Sequence, residues 1–292
     1  MFRANEAKNL CGYDEIPTKI LKLSVPFIIS PLTYICNKRL SQGVFPGRLK
    51  FSVVKPILKN GDKLITSSYR PMSLLVYFSK VFEKLIYSRL YEHISISNIL
   101  DTEKYGFRTN TSTENASYKL THEILSAVNG KCVVGGVFCY LGKAFDCVNH
   151  NILLEKLQFY GIVGKFQALI KSYLSERYQK VFIDNINFSN NAASNWEEVK
   201  HGVPQDSILG PLFFLVYVND LPKITATDAK ISLYANDTSI IVTKPNLEDF
   251  KITVNEIFLD INKWLKTNPL SLNLKKKLTM YNLELKIVMT VI

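Results

Sequence analysis

The chain has 292 residues, 47% of them apolar and 12% aromatic, with 13 glycines and 11 prolines. That content can fill a large core in one or two domains, and it excludes disordered, collagen-like and low-complexity classes. Thirty-six Lys and Arg against 25 Asp and Glu leave a formal net charge of +11, which suits a polyanion such as nucleic acid as well as a merely lysine-rich surface.

In chain order, the start from Met1 to Asn9 is polar and charged, unlike a secretory leader. The apolar run Leu23 to Cys36 holds Pro26 and Pro31 and reads as too short and too interrupted to span a bilayer, so a soluble, intracellular chain with no membrane partner is expected. Residues 53–75 suggest two strands around an Asn-Gly-Asp turn. Phe78, Val81, Phe82, Leu85, Ile86, Leu90 and Ile94 share one face of a predicted helix, with Lys80, Glu83, Lys84 and Glu92 elsewhere. Thr111 and Glu114 have capping-box spacing ahead of a helix over 112–128. Lys131 to Leu141 reads as a buried central strand. Asn151 is placed to cap a short helix, and a further helix covers 165–175.

Gln179 to Asp184 alternates like a strand, and Gly202 to Pro211 is a shaped loop before the apolar helical run Leu212 to Val218. Two β-rich arms, 231–233 and 238–242, flank a Tyr234-Ala235-Asn236-Asp237 turn, and Phe250 to Leu265 has helical spacing. Lys275 to Ile292 lacks a period and reads as a ragged end. The order implies an α+β fold, a mostly antiparallel sheet with helices packed on one face. The five cysteines form no CxxC pair or Cys/His cluster, so neither a zinc site nor a disulfide framework is indicated.

Several islands carry chemistry. Lys59 beside the first turn and Arg70 on the following strand could be aimed at one anion, as a triphosphate clamp requires. Asp237, at a tight turn between apolar strands, is rigidly placed for metal binding, though an Asp in a turn is also an ordinary turn former. These islands, with Gly12 to Pro17 (GYDEIP), Tyr69 to Leu75 (YRPMSLL), Gly106 to Arg108, Lys143 to His150 (KAFDCVNH), Gly202 to Pro211 (GVPQDSILGP), Tyr234 to Asp237, and Trp264, Asn268, Leu270 and Asn273, resemble the reverse transcriptase of non-LTR (LINE-type) retrotransposons, most of all the jockey-like group. The similarity runs over residues 8–280.

The resemblance implies a right-hand polymerase: fingers and the start of the palm over 1–130, palm over 131–245, and the end of the palm over 246–292, with the thumb incomplete or absent and no endonuclease or C-terminal domain in this stretch. It also implies an RNA-directed DNA polymerase that uses two Mg²⁺ ions, an RNA template, a DNA primer and dNTPs. The catalytic positions fall at Tyr140, Asn236 and Asp237, and the nucleotide-binding ones at Lys59, Arg70, Leu141, Phe145, Gln205 and Asp206. Phe145 corresponds to the family's sugar-gating aromatic.

Here the chain departs from the family. Six residues before Asp146, where the family has its first metal-binding aspartate, stands Tyr140, and a phenol offers no anionic oxygen near neutral pH. Asn236 replaces the first Asp of the YADD motif, leaving Asp237 as the one metal carboxylate, and Asp206 replaces a glycine beside the triphosphate. Magnesium binding is therefore expected to be weakened or lost, and the enzyme catalytically dead. The sequence reads as a degenerate, truncated element copy; the alternatives are a non-catalytic RNA- or DNA-binding protein derived from the element and an unstable decayed fragment.

Overall fold

Two sheets organise the chain. The computed structural model describes residues 11–59, 61–183, 192–224, 229–272 and 279–282. In chain order they form α1 (Thr18–Gln42), β1 (Phe51–Leu58), β2 (Tyr69–Leu75), α2 (Tyr77–Ile96), α3 (Thr113–Asn129), β3 (Val133–Gly142), α4 (His150–Phe159), α5 (Gly164–Leu174), β4 (Tyr178–Ile183), β5 (Ala192–Ala193), β6 (Glu197–Glu198), α6 (Leu209–Tyr217), α7 (Leu221–Ile224), β7 (Ala229–Tyr234), β8 (Asp237–Lys244), α8 (Leu247–Thr267), β9 (Ser271–Leu272) and β10 (Thr279–Asn282). The expected α+β class holds, but the chain divides into two compact units, each built from two stretches: Met1–Glu92 with Leu153–Gly210, and His93–Ile152 with Pro211–Ile292.

The first unit holds the sheet β2-β1-β4-β5, with β6 also beside β4. β1 and β2 are antiparallel, whereas β1 and β4 run parallel, which an antiparallel expectation misses. Parallel neighbours need a long crossover, and here it is the whole stretch between β1 and β4. In the core of this unit the buried Phe45 ring meets both Phe82 and Tyr173 edge to face.

The second unit holds the antiparallel sheet β10-β3-β8-β7, with β9 beside the end of β3. Val133 to Val137 are all buried, as an uninterrupted apolar run between two neighbouring strands must be. One of those neighbours is β10, from the stretch read as ragged; the rest of that stretch, Asn273 and the first turn's Asn60 lie outside the described residues. α3 and α8 pack on this sheet, α3 through Ala127 against Val134 and Ile241. Along α8, Val254, Ile257, Ile261, Trp264 and Leu265 are buried at helical spacing, and Asn246 Oδ1 caps the helix by accepting from Asp249 N (2.9 Å).

Several local expectations shift. The cap of α3 is Ser112, whose Oγ accepts from Asn115 N, instead of Thr111. The cap of α4 is Asn149, whose Oδ1 accepts from Asn151 and Ile152 N–H groups, instead of Asn151. Glu83, placed off the apolar face of α2, is fully buried. Pro26 and Pro31 do not break α1, which runs through both; Thr33 Oγ1 bonds back to the Ile29 carbonyl within it. At 25 residues, with a window of mean hydropathy 1.4, α1 is long and apolar enough, by length and composition, to cross a membrane. The interruption inferred from its prolines is corrected accordingly.

Asn268 shows how the downstream motif works. It is 4% exposed; its Nδ2 donates to the Trp264 carbonyl (2.9 Å), and its own carbonyl accepts from the Tyr217 hydroxyl (2.7 Å). α8 is thereby tied to α6 at its last turn. Tyr217→Phe keeps the ring and leaves a buried carbonyl without this donor, so it should cost about 1–3 kcal/mol, read from urea unfolding midpoints at unchanged slope.

Candidate functional site

The tight turn between β7 and β8 presents Asn236 and Asp237. Tyr234 and Asp237 close it as opposing residues, and Ala235 takes φ +56°, the left-handed region. The same Asp237 lies directly opposite Tyr140 on β3, one interstrand spacing of about 4.8 Å away. Asn236 is held by the same strand, its carbonyl accepting from Leu141 N–H (3.0 Å). The turn therefore brings Tyr140, Asn236 and Asp237 together. Asp237 is exposed, while Tyr140 and Asn236 are half-buried. Cys139 points to the opposite, buried face, and burial pushes its thiol up to about 11.

This donor set is one carboxylate, one carboxamide and one phenol. Divalent magnesium favours hard anionic oxygens in octahedral array. One carboxylate is too little for a two-ion centre, so the residues present do not fit that group. Among the described residues no group of three or more His, Cys, Asp or Glu is arranged to hold a metal.

The segment 103–108 buttresses the turn from outside. Tyr105 N–H donates to Leu233 O and Leu233 N–H to Glu103 O, both at 2.8 Å. A Cβ on Gly106 would meet Ala235 N at 2.2 Å, so the backbone of the turn occupies the space a side chain would need. Arg108 donates to the Asp101 carbonyl (2.9 Å), closing the segment on itself. Lys104 is fully buried with its Nζ 3.0 Å from the Leu215 carbonyl. The sequence pointed to Gly106 and Arg108 only through the motif, and it gave no signal for Lys104.

The nucleotide-binding expectations divide between the units. In the second, Phe145 is half-buried, edge-on to Phe107 (5.8 Å between centroids) and stacked on Phe214 (5.2 Å). Leu141 is 2% exposed with its N–H engaged by Asn236, so neither its side chain nor its amide is open to a ligand. In the first unit Arg70 is opposite Ile57, and Lys59 N–H bonds Ser68 O, so the alternation places both exposed cations on one face of the β1–β2 pair.

The loop 202–211 docks beside that pair: Ser73 N–H donates to Gln205 O (3.2 Å). Asp206 stands at φ +73°, a conformation that glycine adopts freely and that Asp tolerates better than most residues. Its carboxylate pairs with Lys80 at 3.2 Å, both side chains partly exposed. The residue that fixes this loop is one the sequence reading misplaced. Glu83 Oε2 accepts from Ile208 N–H (2.7 Å) and Leu209 N–H (3.4 Å), and Oε1 accepts from the Tyr173 and Ser79 hydroxyls. The two amides are unpaired donors at the start of α6, where an anion is favoured. Burial raises the Glu83 carboxyl, against the pull of the Arg177 guanidinium and the two amides. Spacing could have revealed it, because position 83 falls three before Ile86 and seven before Leu90, on the buried face.

The family described as reverse transcriptase (RNA-dependent DNA polymerase) matches residues 57–288. The chain is 30% identical over 272 residues to the probable RNA-directed DNA polymerase from transposon BS of Drosophila melanogaster, and 27% identical over 276 residues to the RNA-directed DNA polymerase from the mobile element jockey of the same species. These alignments cover 91% and 92% of this chain but 29% of each relative, so the chain spans under a third of their length. Among solved structures, telomerase of Candida tropicalis truncated from its C-terminal domain superposes with TM-score 0.57 at 13% identity, covering 85% of this chain and 56% of that one. Telomerase of Candida albicans, in complex with a TWJ fragment of telomeric RNA, gives 0.54 at 13% identity, covering 94% and 48%. At that identity the likeness is one of fold.

Gly106→Ala tests the buttress. Its methyl cannot be accommodated without moving the turn, so a loss of about 1–3 kcal/mol is expected, measured by denaturant unfolding, with faster amide exchange at Leu233.

Proposed function

The chain belongs to the reverse transcriptase (RNA-dependent DNA polymerase) family, and from that premise we propose that it binds nucleic acid and nucleoside triphosphate without performing templated DNA synthesis. The observation that carries this reading is the donor set at the hairpin turn, where Tyr140 faces Asp237 across one strand pair. By resemblance two of three metal carboxylates are absent there. Two-metal phosphoryl transfer depends on anionic ligands to hold both ions against the attacking and leaving oxygens. Each 1.4 kcal/mol of lost transition-state stabilisation is about tenfold in rate, and carboxylate ligands act as a unit.

What remains is the binding apparatus. Lys59 and Arg70 supply cations for a triphosphate, and the loop of Gln205 and Asp206 stays docked by Ser73 and Glu83. Asp206 adds negative charge beside that anion, but Lys80 neutralises part of it. A net charge of +11 supplies attraction for an RNA template, a DNA primer or their duplex. The family's Mg²⁺ requirement, the dNTP and the inactivity belong to this proposal.

Primer extension by the purified chain, with Mg²⁺ or Mn²⁺, should give no product. Tyr140→Asp, Asn236→Asp and Asp206→Gly restore the family's residues, and any gain should require them together, each single change staying silent. Extension by the unaltered chain that Asp237→Ala abolishes would overturn the proposal. Binding to an RNA–DNA duplex, measured by anisotropy, should weaken by at least about tenfold between 50 and 200 mM salt through counterion release; a flat response would remove the electrostatic explanation.

A further inference from the structure

The donors gathered at the β7–β8 turn do not fit a pair of magnesium ions, and the same donors suit a different ligand. Three side chains stand in one row across the second unit's sheet. Tyr140 on β3 is directly opposite Asp237 on β8, and Asp237 is directly opposite Tyr234 on β7. Directly opposed residues of antiparallel strands share a face, and neighbouring strands lie about 4.8 Å apart, so one carboxylate stands between two phenols. Asn236 sits beside the row, in the turn itself, with its main-chain carbonyl taken up by Leu141 N–H (3.0 Å). The row opens to solvent toward β7: Asp237 is exposed and Tyr234 is 37% exposed, while Tyr140 and Asn236 are half-buried.

Charge and hydrogen bonding decide what such a row can hold. Near neutral pH a phenol is uncharged and carries an O–H donor, and a carboxamide carries two N–H donors, whereas an ionised carboxylate only accepts. A cluster of carboxylates repels a polyphosphate until cations stand between them. With one carboxylate at the turn, most of that repulsion is absent, and the groups at the other two positions are themselves donors to phosphate oxygen. We propose that Tyr140, Asn236 and Asp237 bind a nucleoside triphosphate directly, without a divalent ion. Phosphate oxygens accept from the Tyr140 hydroxyl and the Asn236 carboxamide, and the Asp237 carboxylate accepts from a sugar hydroxyl. The inference rests on the triphosphate-binding reading above and adds that hydrogen-bond donors of the turn take over the task of metal ions.

The full chain is titrated with dATP by isothermal calorimetry, in excess EDTA and again in excess Mg²⁺. Affinity in EDTA should equal or exceed that in Mg²⁺, because an ion on the triphosphate masks the oxygens that the turn would meet. Tyr140→Phe keeps the ring and removes the donor, so it should weaken binding in EDTA about tenfold, as the loss of a hydrogen bond to a charged group does. Tyr140→Asp combined with Asn236→Asp should reverse the dependence, with binding lost in EDTA and restored by Mg²⁺; if that variant fails to fold, the isosteric Tyr140→Phe carries the test. Binding by the unaltered chain that EDTA abolishes overturns the inference. Binding in EDTA that Tyr140→Phe leaves unchanged overturns it too, and assigns the anion to other residues such as Lys59 and Arg70. In both cases the triphosphate still binds and the proposed function stands. No binding of dATP in either buffer removes this inference together with the triphosphate reading it rests on.

Discussion

Eight consecutive residue pairs between β3 and β8, from Val133 opposite Lys244 to Tyr140 opposite Asp237, set the frame of the second unit. The pairing is antiparallel and buried on both sides over its apolar half, where Val134, Val137, Ile240 and Val242 are nearly inaccessible. A slip of one residue would turn every side chain to the wrong face, so burial of the strand fixes its register, and register fixes who faces Asp237. The chemistry at the turn follows from packing some residues away. The hairpin turn needs a second constraint, because a two-residue connection with Ala235 in the left-handed region is strained on its own. The 103–108 segment supplies it by pairing with Leu233 and by leaving Gly106 bare against the turn.

In the first unit the corresponding constraint is electrostatic. A carboxylate wholly out of water is costly unless hydrogen bonds and counter-charge replace its hydration. Glu83 has both: two backbone amides at the mouth of α6, two hydroxyls, and the Arg177 guanidinium, itself stacked over the Tyr173 ring at 4.6 Å. Because the amides belong to the 202–211 loop, the same interaction that satisfies the charge holds the loop carrying Gln205 and Asp206 in place. Asp206 occupies a left-handed position without displacing the loop and engages Lys80 instead of standing as an isolated anion. Gly106, Glu83 and Asn268 are each tied into their networks.

Much of this was legible in the residues. The helical spacing of α2, α5 and α8, the apolar run of β3 and the arms of the β7–β8 hairpin have periods that local geometry dictates. The caps were found one or two residues away, at Ser112 and Asn149, because several adjacent residues can accept the same amide and the choice depends on where the chain enters the helix. Glu83 was assigned to the polar side by its type, although its spacing to Ile86 and Leu90 put it with the core. Two prolines in α1 suggested a broken segment, yet a helix spared of two amides can still propagate through both sites.

By itself the sequence determined the family, the α+β class, the identity of the donors at the turn and the net positive charge, because these depend on residue type, order and local period. Tertiary structure decided the rest. It set the parallel pairing of β1 with β4, the strand at 279–282 beside β3, the anchoring of the loop by Glu83, and the placing of Tyr140 opposite Asp237. Each of these joins residues far apart in the chain, and such contacts are selected by the burial and hydrogen-bond satisfaction of the whole unit, which no local window contains.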